Sequence, residues 1–166
     1  VANVHGIFRL APALILLPFA GVFERIARSI VKDEPIDEED KSALAALDAL
    51  DERLFNAPSI ALDQVERVVC EMSDIAGHNY DACVKQIFEY DPKRDQRIEA
   101  REDLLDNMTD AANTYIVSLS PHVMRESDMR HQNYVAKALI CYERIGDLAV
   151  NIKNEIANLR SEGKSF

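Results

Sequence analysis

The segment YERIGDLAVNI, residues 142–152, sets Glu143 and Asp147 four residues apart, and REDLLDNMTD, residues 101–110, repeats that spacing in Glu102 and Asp106. On a helix, residues four apart are neighbours on one side. Two such pairs on adjacent helices could bring four carboxylates together, and these repel unless a cation or a basic side chain lies among them. Oxygen-only donors suit hard or borderline cations such as magnesium, manganese, calcium or iron.

Facing can be worked out at roughly 100° per residue. In the last helical pattern the apolar residues centre near Ile145, and Glu143 and Asp147 lie roughly 160° from it on either side. In the preceding pattern the apolar centre falls between Leu104 and Met108, with Glu102 and Asp106 roughly 120–160° away. Both pairs are therefore expected outside the core. Spacing alone leaves two readings open: a solvated acidic face, with Arg101 and Arg144 as surface partners, or a cation site.

Other candidate groups are more isolated. His78 lies near Glu71, Asp74 and Asp81, and His131 lies three residues after Asp128. The cysteines, Cys70, Cys83 and Cys141, show no CxxC spacing and sit in apolar helical patterns, so all three are expected to be buried free thiols. A buried di-metal enzyme of the ferritin type needs Glu-x-x-His on two helices, which is absent. A glycine-rich phosphate loop, a nucleophile elbow and an HExxH sequence are also absent, so no enzyme is expected.

The elements that must position these residues are helical. Three long patterns with steps of three and four cover about 58–90, 94–119 and 126–161. Asn56 or Ser59 is expected to cap the first, and Pro92 to end it. Short connections make the helices antiparallel neighbours in a three-helix bundle. Its expected core is Val65, Met72, Leu105, Met108, Ala138, Ile145 and Ile152. A short helix at 38–53, with Leu44, Leu47, Leu50 and Leu54 on one stripe, precedes the bundle. The expected fold class is all-α. Its parts are an apolar segment at 1–31, a charged linker and short helix at 32–57, and the bundle at 58–162.

With 166 residues, no tryptophan and few glycines, composition favours a single helical domain with an appendage. A net charge of −10 argues against nucleic acid as a partner. Residues 10–23 carry no charge. Alone they fall short of the ~20 residues of a membrane helix, and they reach that length only by taking in His5 and Arg9. The segment therefore reads either as a membrane helix or as a core element broken by Pro12 and Pro18. If it spans, Arg25, Arg28 and Lys32 place the following chain in the cytoplasm. The chain starts at Val1 and reads as part of a longer or processed one.

YERIGDLAVNI resembles the ERIGD signature of PhoU proteins, helical regulators of phosphate uptake, and REDLLDNMTD resembles the acidic E-x-x-x-D stretch on their preceding helix. The resemblance covers roughly 60–160. It implies a three-helix bundle whose Glu102, Asp106, Glu143 and Asp147 bind a divalent or trivalent metal ion: iron, zinc, manganese or magnesium. DERLFNAPSIALDQVERVVCEM resembles the entry into the C-terminal PhoU-like domain of the bacterial Na/Pi cotransporter family. ANVHGIFRLAPALILLPF resembles the last membrane segment of those transporters, with His5, Phe8, Pro18 and Phe19 at the matching positions. An asparagine usually follows the phenylalanine of that segment, and here Arg9 stands in its place. The implied protein is a regulatory domain at the cytoplasmic face of the bacterial inner membrane, partnered by a transmembrane transport domain. Full PhoU proteins carry the three-helix unit twice. The single copy here points to a homodimer. A soluble metal-binding or metal-sensing protein with an apolar dimerisation arm is the alternative.

Overall fold

The computed structural model describes residues 38–163, which form one compact unit. The expected membrane segment at 1–31 lies outside the described residues. Among the described residues there are four helices and no strand: α1 (Glu38–Asp48), α2 (Pro58–Phe88), α3 (Pro92–Leu119) and α4 (Glu126–Ser161). Short 3₁₀ turns at Glu52–Asn56 and Ser120–His122 lie between them. No helix among the described residues is long and apolar enough to cross a membrane.

The three long helices pack pairwise as an up-down-up bundle, so α2 and α4 run in the same direction. Their facing sides interdigitate through Leu62, Val65, Val68 and Met72 of α2, Leu105, Met108 and Ala112 of α3, and Val135 and Leu139 of α4, all of them fully buried. The short helix ends at Asp48, earlier than the expected 53, and packs against α2 and α3 with Ala43 in the core. A turn built on Asp51 follows it. The Asp51 carboxylate accepts from the Arg53 N–H at 2.8 Å, and its carbonyl accepts from Tyr115 Oη at 2.9 Å, with the Phe55 ring edge-on to Tyr115.

Neither Asn56 nor Ser59 caps α2. The N-cap is Ala57, without a side-chain bond, because Pro58 at the first helical position is preset to helical φ and has no N–H to satisfy. Pro92 plays the same part in α3. Asp91 caps that helix by accepting from the Lys93 N–H at 3.0 Å, so the proline opens a helix as well as closing its predecessor.

Only residues 89–91 separate α2 from α3, and Gln86 closes the connection. Its buried amide donates to the Asp91 carbonyl and accepts from the Asp91 N–H, both at 2.9 Å. Arg94 reaches the same Gln86 oxygen at 2.8 Å, and Asp95 accepts from Tyr90 Oη at 2.9 Å. Cys83, Ile98 and Ala149 form a smaller core beneath this turn, beside the buried Lys153, which pairs with Glu99 across α3 and α4.

The expected core holds in α2 and α3, and in α4 it holds at Ala138, which packs half-buried against it, but fails further along. Ile145 and Ile152 are exposed (37% and 39%), as is Leu148, whereas Gly146, Ala149 and Lys153 are buried. The true core direction lies about one residue's rotation, roughly 100°, from Ile145. Ile145, Leu148 and Ile152 instead line an open apolar groove of about 460 Å³ with Ser73, Ala76, Gly77 and Tyr80 of α2. Of the cysteines only Cys83 is buried, donating to the Ala149 carbonyl. Cys70 and Cys141 are exposed free thiols, because each falls one helical step off the packed stripe.

Candidate metal centre

The rotation of α4 decides where its acids lie. With Gly146 facing the core, Asp147 is turned towards α3 instead of away from the bundle. The close approach of the two helices depends on Gly146: a Cβ at that position would stand 2.7 Å from Leu105 Cδ1 and 3.9 Å from Glu102 Cγ. The missing side chain lets α4 settle against the α3 turn that carries Glu102 and Asp106.

Glu102, Asp106 and Asp147 therefore converge, with one carboxylate oxygen of each within 4.8 Å of the others. Glu102 is half-buried, and Asp106 and Asp147 are exposed. Glu143, the fourth expected ligand, is half-buried one turn earlier on α4 and stands outside this group. Three of the four acids singled out from spacing are thus brought together, at the seam of two helices.

The electrostatics match that crowding. Burial pushes the Glu102 carboxyl above the usual range, and the charges of Asp106, Asp103, Asp147 and Glu99 push it further in the same direction. Asp106 is raised by burial and then by Asp147, Asp103 and Asp110. No ion pair among the described residues joins Arg144 to the cluster. Three convergent carboxylates, two of them pushed towards protonation by burial and by neighbouring acids, are a donor set that a hard cation relieves. The residues present fit a divalent or trivalent metal ion, which Glu102, Asp106 and Asp147 would hold.

The other imidazole candidates diverge. His78 is exposed and belongs to no ligand group among the described residues. His131 does not bond Asp128, whose carboxylate faces Ser59 and Arg125. It pairs across the bundle with Glu66, at 3.1 Å, and stands beside Asp63. Sequence reading missed Glu66 and Asp63 because their link to His131 spans 65 residues of chain and rests on α2 and α4 being parallel neighbours.

Comparison with known proteins gives one family and one group of relatives. The family model of the PhoU domain matches residues 69–156, a span that includes all four acids. The YjbB protein of Escherichia coli (strain K12), which its name proposes as an inorganic phosphate export protein, is 20% identical over 159 residues. The YjbB of Salmonella typhimurium is 21% identical over the same length. These alignments take in 95% of this chain and 28% of each relative, so the chain spans less than a third of the proteins it matches. No solved structure matches the chain significantly.

Proposed function

The chain belongs to the PhoU domain family, and from that premise we propose that it is the regulatory, non-catalytic domain of a membrane protein that moves inorganic phosphate. The observation that carries this reading is the coincidence of the family match with the three long helices and the acidic seam they create. The relatives named for phosphate export support phosphate as the cargo, since they align with nearly the whole chain. The sequence resemblance to sodium-coupled phosphate transporters supplies the finer reading: residues 1–31 as a membrane segment, 32–57 as the connection, and 58–162 as a bundle at the cytoplasmic face of the inner membrane, regulating the transport domain.

In this reading the acidic seam binds a metal ion, which supplies positive charge among the three converging carboxylates. Glu102, Asp106 and Asp147 hold it, and Glu143 stands one turn before Asp147 on the same helix. The bundle then acts by contact with the transport domain. Tethering keeps that contact at high effective concentration, so it needs little intrinsic affinity.

Phosphate flux through the parent protein, with and without residues 58–166, tests the proposal. Flux is expected to persist after deletion but to lose its response to phosphate supply, and Asp106→Asn with Asp147→Asn should reproduce that loss. Identical flux and response in all three proteins would overturn it.

A further inference from the structure

We propose that Asp63, Glu66 and His131 form a second cation site, taking a borderline divalent ion such as zinc in preference to magnesium. One ligand atom of each lies within 4.8 Å of the other two. Asp63 and Glu66 stand three residues apart on α2, which puts them on one face. His131 comes from the second turn of α4, the parallel neighbour of α2. The three groups thus come from two rigid helices, with no loop involved.

The geometry is close to that of a metal site already. Ligands on a tetrahedral zinc, each about 2.0 Å from the ion, stand about 3.3 Å from one another. His131 Nε2 and Glu66 Oε2 are 3.1 Å apart, so an ion can replace the hydrogen bond between them with little movement of either side chain. Asp63 completes the set by a rotamer adjustment, leaving a fourth position open to water. Arg125 is committed to Asp128 at 3.4 Å and Arg130 to Glu126 at 2.5 Å. Among the described residues no lysine or arginine pairs with Asp63.

The donor set separates this site from the acidic seam. Imidazole nitrogen favours zinc and its first-row neighbours, whereas magnesium demands oxygen donors and keeps its waters. The two sites are also independent. His131 and Asp147 are sixteen residues apart on α4, about 24 Å along the helix axis.

The test is a zinc titration of the full chain, followed by calorimetry and by the NMR signals of its histidine side chains, with magnesium as the control. Zinc is expected to shift the His131 imidazole signal, and magnesium to leave it in place. His131→Ala should remove one zinc equivalent or weaken that binding at least ten-fold. Asp63→Asn, at an exposed position outside the core, should weaken it too, and it carries the test if the histidine variant fails to fold. The triple variant Glu102→Gln, Asp106→Asn, Asp147→Asn should keep the His131 response. An unmoved His131 signal, or zinc isotherms that superimpose for wild type and both single-site variants, would overturn the proposal and leave a surface histidine–glutamate hydrogen bond.

Discussion

Glu102 and Asp106 are acids held above their ordinary values of 4.5 and 3.8 in the folded chain. The folded state therefore binds their protons more readily than the unfolded chain does. The penalty is absent below those ordinary values, sets in as pH rises through them, and is complete above the raised folded values. Glu102→Gln with Asp106→Asn should raise the metal-free melting midpoint at pH 7. The gain, under about 1 kcal/mol because the groups are partly solvated, should shrink as pH falls towards 4. Melts of the two proteins across that range check the sign. Gly146 acts by contact instead of charge. Alanine there gains up to about 1 kcal/mol of helix propensity, whereas overpacking against Leu105 costs about 1–3 kcal/mol. Gly146→Ala should therefore leave stability level or lower it by up to about 2 kcal/mol, and should weaken metal binding as α4 is pushed from Glu102. Unfolding in urea and calorimetry on the same variant read the two effects separately. The acids of this seam are legible in sequence by their spacing. Their approach is not, because it depends on Gly146, a residue that no count of apolar positions weighs.

At the scale of the helix, boundaries are legible wherever proline and aspartate punctuate the chain, and the facing of α4 is not. That helix is apolar on two sides. Val135, Leu139, Gly146, Ala149 and Ile156 turn to the bundle, and the larger Ile145, Leu148 and Ile152 turn to the groove. Bulk outweighs smallness in an apolar average, so the groove side is mistaken for the core. The small residues and the paired Lys153 mark the side that packs most closely. Ile145→Asp should consequently leave the bundle folded, with a cooperative melt near that of wild type. Leu139→Ala should cost about 2–5 kcal/mol, because it empties a fully buried position. Circular-dichroism melts of the two variants decide the facing. The acidic pair moves with it: turned by roughly 100°, Asp147 passes from the open surface to the α3 seam.

Across the whole molecule, the three long helices and their order are legible because each is long and periodic and their connections are short. Contacts between sequence-distant partners, such as Glu66 with His131, are legible only once α2 and α4 are known to be parallel. The closed turn at residues 89–91 has a consequence in time. With Gln86 holding both polar groups of Asp91, α2 and α3 can zip as a local hairpin before α4 arrives, and contacts close in sequence are those that form fast. Gln86→Ala strands the Asp91 N–H at a cost of about 1–3 kcal/mol, while the Asp91 carbonyl keeps the Arg94 N–H at 3.0 Å. In stopped-flow refolding that loss should appear mainly as slower folding with little change in unfolding rate, marking this turn as the place where the chain commits to its topology.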